Sequence, residues 1–120
     1  MNKEEIKKYK SLFWSSTIDS LISSAITIIS ILMMNLKLGF MFMLLTAILL
    51  LTSYLSEFTS LKKEYKGNTV SFSVPSIIKK GYSVNPNTTN GKISWLTKFT
   101  FPIVLSLACL FALIVFYWNS

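Results

Sequence analysis

The sequence contains no histidine and no arginine, and it has one cysteine and five acidic residues among 120. The single thiol, Cys109, cannot form a disulfide within the chain, and one cysteine with five scattered acids cannot build a metal site. Long apolar stretches also leave no room for a soluble catalytic domain. We therefore expect no enzymatic activity, no catalytic residue, and no bound metal or cofactor.

Three long stretches of the sequence carry almost no charge. Residues 11–36 hold one acid, Asp19, and residues 38–56 and 99–120 hold no charge. A bilayer core about 30 Å thick needs roughly 20 apolar residues of helix, so each stretch has the length of a transmembrane span. The sequence predicts an all-α integral membrane protein with transmembrane helices at 12–34, 38–56 and 98–118. Because the turn at 35–37 is so short, the first two helices should form an antiparallel hairpin.

Lysine is abundant, but it lies mostly on one side of these spans. Eleven of the twelve lysines fall in the N-terminal tail (residues 1–11) or between residues 57 and 98. The positive-inside rule places both segments in the cytoplasm and residues 119–120 outside the cell. We expect a multi-pass plasma-membrane protein with a cytoplasmic N-terminus and an extracytoplasmic C-terminus. Its basic segments should attract anionic lipid headgroups, at about 1 kcal/mol per lysine, rather than nucleic acid.

The basic cytoplasmic loop at 57–97 shows three local patterns. Alternation of polar and apolar residues over 69–74 predicts a short strand or an extended strip on the membrane surface. Residues 75–81 predict one or two turns of interfacial helix that end at Gly81. Asparagine with proline at 85–87, and asparagine with glycine at 90–91, predict turns.

Hydroxyl side chains recur along one face of the first span. They are spaced four, three, four and three residues apart and fall within about 80° of arc: Ser16, Ser20, Ser23, Thr27 and Ser30. In lipid, small residues and hydroxyls mediate helix packing because hydrophobicity supplies little attraction. We interpret this stripe as an interface, either with the other spans of the chain or with another protein or copy. A water-lined pathway is the third interpretation.

Asp19 is the only ionisable residue well inside a span, about 10 Å along the helix from Leu12. An acid at mid-bilayer costs roughly 2.5–3.5 kcal/mol, so something should offset the charge. Three interpretations are open. Asp19 is held by the hydroxyls of Ser16, Ser20 and Ser23, it pairs with a lysine of this or another protein, or it couples to protons or cations.

The sequence resembles two known families, one over five residues and the other only in length and number of spans. The string Ile-Asp-Ser-Leu-Ile at 18–22 resembles the first helix of RDD-family membrane proteins. That family's arginine before the aspartate and its glycine-rich loop are absent here, so the resemblance implies no function. The chain is also similar in length and span count to bacterial diacylglycerol kinase, but it lacks the clustered glutamates of that fold and has only Glu57 at the membrane boundary.

A small helical unit without reactive side chains is typical of proteins that act by binding. We expect a non-catalytic membrane protein that associates through its helices with a membrane partner or with itself, as accessory, immunity and superinfection-exclusion proteins do. A small oligomeric transporter or channel that uses Asp19, and a holin-like pore former, are the alternatives. Lysine without arginine, with abundant isoleucine, asparagine and serine, suggests an AT-rich bacterial or phage genome.

Overall fold

A computed structural model describes residues 2–118. Most of these residues belong to three long helices. They are α1 (Lys3–Leu32), α2 (Leu36–Glu64) and α3 (Thr89–Trp118), and two antiparallel strands, β1 (Ser73–Pro75) and β2 (Tyr82–Val84), lie between α2 and α3. All three helices are long and apolar enough to cross a membrane. The prediction of a helical chain with three helices of spanning length is therefore confirmed. The predicted C-terminal end at 119–120 lies outside the described residues.

A tight turn reverses the chain between α1 and α2. Helix α1 ends at Leu32, and Met34 takes a positive φ of 62° in the turn. Asn35 then caps α2, because its side chain accepts a hydrogen bond from the backbone N–H of Leu38 at 3.2 Å. At the other end of α1, the Asn2 side chain accepts from the Glu5 N–H, so the charged N-terminal tail is part of the helix.

Helix α2 is the central helix of the array. It packs against both α1 and α3, whereas no Cα atom of α1 lies within 8 Å of one of α3 in residues 2–118. Contacts that join Thr17 to Ser53 and Ser23 to Phe42 show that α1 and α2 run antiparallel. At the end away from the strands, the Lys37 ammonium lies 3.8 Å from the centre of the Tyr117 ring. The other eleven lysines belong to the strand-bearing end of the molecule.

Residues 65–88, here named the cap, fold over that end. A buried cluster of Leu61, Val74 and Trp95 joins the cap to α2 and α3, and five partly buried side chains surround it: Tyr54, Phe58, Tyr65, Val84 and Phe99. The Trp95 indole N–H donates to the carbonyl oxygen of Val84 at 2.8 Å. Most of the predicted loop is therefore ordered, since α2 continues to Glu64, α3 begins at Thr89, and the cap has its own core.

The strand-to-strand connection of the cap is fastened at both ends. The Tyr65 hydroxyl donates to the carbonyl oxygen of Pro75. Burial raises the pKa of the Tyr65 phenol, and the nearby charge of Glu64 raises it further, so this donor keeps its proton at neutral pH. The Ser76 N–H donates to the carbonyl of Gly81 at 3.0 Å, and Gly81 takes a φ of 95°.

Two predictions of local structure are wrong. Residues 76–81 form no helix, because they connect β1 to β2. Residues 90–91 form no turn but lie inside α3, because Thr88 caps this helix by accepting from the Gly91 N–H at 2.9 Å. The turn predicted at 85–87 is present over residues 86–87. The predicted strand begins only at Ser73, since the Asn68 side chain accepts from the N–H groups of residues 70 and 71.

Candidate functional site

All five hydroxyl residues of the predicted stripe lie on the side of α1 that packs against α2. Ser16, Ser20, Ser23, Thr27 and Ser30 have exposed fractions of 3–6%. Helix α2 contributes small buried residues to the same contact, because Gly39 lies against Ile31 and the Ser53 hydroxyl meets that of Thr17. This contact between α1 and α2 is named the seam. The structure thus brings the stripe into the interior of the hairpin.

The hydroxyls of the seam form hydrogen bonds across the two helices and back along α1. The Ser23 hydroxyl donates to the Phe42 carbonyl at 2.9 Å and accepts from the Thr46 hydroxyl at 2.8 Å. The Thr17 and Ser53 hydroxyls are 2.8 Å apart. Other hydroxyls donate to carbonyls of their own helix: Ser20, Thr27 and Ser30. Close approach and direct polar contacts therefore hold the hairpin together.

Asp19 lies at the edge of the seam with its side chain exposed. The hydrogen bonds expected from neighbouring serines are not formed, because the Ser20 hydroxyl donates to the Thr17 carbonyl and the Ser23 hydroxyl to the Phe42 carbonyl. Within residues 2–118, Asp19 makes no hydrogen bond and no ion pair. An acid in an apolar helical stretch is thus left without a partner in the described part of its chain.

Asp19 opens into a groove of about 280 Å³ between α1 and α2, here named the Asp19 groove. The rest of its lining is almost entirely apolar: Ile22, Ser23, Ile26, Phe42, Leu45 and Leu49. At about 100° per residue, residues 42, 45 and 49 lie on the opposite side of α2 from the rings that meet α3. Those rings belong to residues 40, 54 and 58. Helix α3 therefore leaves the groove uncovered.

A buried ion pair lies where α2 meets the cap. The Glu57 carboxylate is in a residue 3% exposed, lies 3.1 Å from the Lys79 ammonium, and accepts a hydrogen bond from the Ser83 hydroxyl. The sequence predicts Glu57 at the start of the loop and does not predict this contact. The available signal was the spacing of Ser53, Glu57 and Ser60, which continues one helical face past residue 56. The pair fastens the cap to α2.

No group of three histidine, cysteine, aspartate or glutamate residues between 2 and 118 is placed to hold a metal ion. No family model matches the sequence, and no curated protein or solved structure matches the chain. The local resemblance of residues 18–22 to RDD-family proteins gains no support from these comparisons. Function is therefore argued from the Asp19 groove.

Proposed function

We propose that this chain is a non-catalytic, multi-pass plasma-membrane protein that acts by helix–helix association with a membrane partner. The observation that carries the proposal is the unpaired Asp19 in an open, mostly apolar groove. The seam satisfies its own polar groups, so the stripe explains how the hairpin holds together rather than how the protein acts. Accessory, immunity and exclusion proteins of bacterial membranes act through contacts of this kind.

An acid in hydrocarbon is costly unless its charge is paired or hydrated. A charged side chain near mid-bilayer costs roughly 2.5–3.5 kcal/mol, and such residues almost always face a protein interior or pair with an opposite charge. Asp19 lies about 10 Å along the axis from Leu12, and residues 2–118 give it neither environment. A second helix that fills the groove would exclude lipid and supply the missing partner.

The chemistry of that partner follows from the groove. A carboxylate is best matched by a lysine or arginine, and the apolar lining is matched by leucine- or isoleucine-like side chains on the same helix. A second copy of this chain fits less well, because it has no arginine and its lysines lie near the helix ends. We therefore propose a different membrane protein with a basic residue inside a spanning helix as the main partner, with self-association as the alternative.

The proposed orientation has a cytoplasmic N-terminus and cap. The clustering of eleven lysines at the cap end supports it, since basic segments are retained on the cytoplasmic side. Alkaline phosphatase fused after Ser120 should be active, whereas the same enzyme fused within residues 79–91 should be inactive. The reverse pattern of activities would contradict this orientation.

Photocrosslinking in native membranes tests the association. A photoreactive residue at Leu45, inside the groove, should give a discrete adduct, whereas the same residue at Phe111, on the exposed face of α3, should not. Loss of a charge-assisted contact worth about 1.5–3 kcal/mol should lower adduct yield at least about tenfold in both Asp19→Asn and Asp19→Leu. Ser24→Leu, elsewhere on α1, is the control. Full yield from both Asp19 variants would contradict the proposal.

The same variants separate the proposal from its alternatives. The adduct mass distinguishes a foreign partner from a second copy of this chain. An Asp19→Asn protein that associates normally but loses a pH-dependent flux in proteoliposomes, with partial rescue by Asp19→Glu, would favour the transporter. Host lysis on expression would favour the pore former.

A further inference from the structure

A second groove lies between the N-terminal part of α1 and the strand connection of the cap. It encloses about 690 Å³ and is lined by Lys10, Trp14, Ile77, Ile78, Lys79 and Lys80. Its lining thus combines three lysines with two isoleucines and an indole. This set of residues is named the basic groove. It is separate from the Asp19 groove and shares no lining residue with it.

The walls of the basic groove are fixed to one another. The Trp14 indole N–H donates to the Ile78 carbonyl at 2.9 Å, which holds the strand connection against α1. Lys79 is held by the buried Glu57 at 3.1 Å and is partly neutralised by it. Lys10 and Lys80 are exposed, and within residues 2–118 neither forms an ion pair. The groove therefore keeps positive charge that its own carboxylate does not compensate.

The face of α1 that includes Lys10 and Trp14 is basic near the N-terminus and apolar further along the helix. Residues 3, 7 and 10 are lysines spaced four and three apart, so they share this face with Trp14. The same face continues through exposed apolar side chains of the spanning part of the helix: Ile18, Leu21 and Ile28. A cationic end followed by a long apolar track matches an anionic phospholipid, with its phosphate among the lysines and its acyl chain along α1.

We infer that the basic groove is a binding site for the headgroup of an anionic glycerophospholipid. The lysines contribute attraction for the phosphate, and an indole such as that of Trp14 favours the headgroup level of a membrane. An inorganic phosphate would use the lysines but not the apolar part of the lining or the apolar track. This assignment goes beyond the proposed association and depends only on its membrane location, not on the Asp19 groove.

Lipid titration of the purified full-length protein in a neutral detergent, followed by native mass spectrometry, tests the site. The probes are phosphatidylglycerol and phosphatidylcholine with the same acyl chains. Phosphatidylglycerol should bind tighter than phosphatidylcholine. Replacing two lysines, each contributing about fivefold, should weaken its binding about 30-fold in Lys10→Ala/Lys80→Ala. Lys10→Gln/Lys80→Gln should behave in the same way, which guards against an unfolded variant.

Lys8→Ala/Lys92→Ala is the matched control, since it removes the same net charge outside the groove. Lys8 is exposed and lies two residues from Lys10, hence on nearly the opposite side of α1. This control should bind phosphatidylglycerol within about twofold of the unmodified protein. Equal weakening in control and groove variants, or equal affinity for the two lipids, would overturn the site. Displacement of the lipid by an equal concentration of inorganic phosphate would show that the groove takes any phosphate and would overturn the lipid assignment.

Discussion

The seam between α1 and α2 and the core under the cap are built from different residues. The seam buries serine, threonine and glycine, whereas the cap core buries leucine, valine and tryptophan among further aromatic rings. Their polar contacts also differ. Seam hydroxyls bond to one or two neighbours, whereas the Asn85 and Asn87 amides each bind two backbone carbonyls and tie the cap to itself and to the end of α2.

The difference between the two regions matches the solvent that each would exclude. Next to water, burying apolar area is itself favourable, so a small core can be held by a few large side chains. In hydrocarbon that gain is absent, and helices associate through close approach and polar contacts between small residues. The composition of the two regions therefore supports the proposal that the seam lies in the membrane and the cap lies outside it.

Trp95→Ala should have the largest effect, because Trp95 lies at the centre of the cap core. The residue is 1% exposed, and its ring meets that of Phe58 edge-on at 5.7 Å. Removing a buried aromatic side chain costs about 3–5 kcal/mol, which is enough to unfold the cap. A lysine-specific protease should then cleave at Lys79 or Lys80 at least about tenfold faster. The matched control is Leu96→Ala, at a residue 69% exposed, and equal protection of both variants would contradict the aromatic core.

The ion pair at the edge of the cap predicts an asymmetry between its partners. Lys79→Ala leaves the nearly buried Glu57 carboxylate without its cation and should lower the free energy of unfolding by about 2–3 kcal/mol. Glu57→Gln should cost only about 1 kcal/mol, since Lys79 is one-third exposed and can reach water, and glutamine still accepts from Ser83. Denaturant unfolding followed by circular dichroism measures both values. The Glu57→Gln/Lys79→Ala protein should be no less stable than Lys79→Ala, and a reversed order of the single variants would contradict the pair.

The three helices and the buried face of α1 could be predicted because each depends on a local pattern. Uncharged runs of spanning length locate the helices, and the spacing of the serines locates the face. The cap could not be predicted in this way, since its contacts join residues far apart in sequence. The contacts of Trp14 with Ile78 and of Trp95 with Val84 depend on how the cap lies against α1 and α3. No local pattern gives such a pairing.

The position of Asp19 was predictable, but its lack of a partner was not. Hydroxyls beside it in sequence suggested hydrogen bonds to the carboxylate. The Ser20 hydroxyl instead donates to the Thr17 carbonyl of its own helix, and the Ser23 hydroxyl donates to Phe42 of α2. The bond from Ser20 to Thr17 forms because a backbone carbonyl three or four residues earlier lies within reach of a serine hydroxyl in any helix. The bond from Ser23 to Phe42 depends on the position of α2, which cannot be predicted from the sequence of α1 alone.

Bulk added to the seam should break the hairpin but leave the cap folded. Ser20→Leu/Ser23→Leu forces two large side chains into a contact of small residues. The double variant should lose about 2–4 kcal/mol of unfolding free energy, since overpacking costs about 1–3 kcal/mol at each site. Unfolding in a detergent series, followed by tryptophan fluorescence, measures this loss. Ala25→Leu adds the same kind of bulk to an exposed position of α1 and should have little effect. If the two proteins unfold together, the buried face of α1 has been misassigned.

Adding one methyl group at a glycine of each region compares how tightly the seam and the junction of cap and α3 are packed. A Cβ at Gly91 would lie 1.8 Å from the backbone carbonyl oxygen of Asn85, which accepts hydrogen bonds from the N–H and the hydroxyl of Thr88. A Cβ at Gly39, in the seam, would lie 2.9 Å from the Cγ1 carbon of Ile31, a side-chain atom close to the backbone of α1 whose χ1 has one strongly preferred rotamer in a helix. Replacement by alanine gains up to about 1 kcal/mol of helix propensity, and less at Gly91, which lies in the first turn of α3.

Gly91→Ala should therefore lower the free energy of unfolding by about 1–2 kcal/mol, because a backbone shift outweighs the propensity gain. Gly39→Ala should lower it less, by about 1 kcal/mol or below, since only a side chain of α1 must shift and the propensity gain offsets part of the cost. Gly67→Ala has no atom within 4 Å of the new methyl group and serves as the baseline. A greater loss at Gly39 than at Gly91 would mean that the seam, not the junction of cap and α3, is the more tightly packed region.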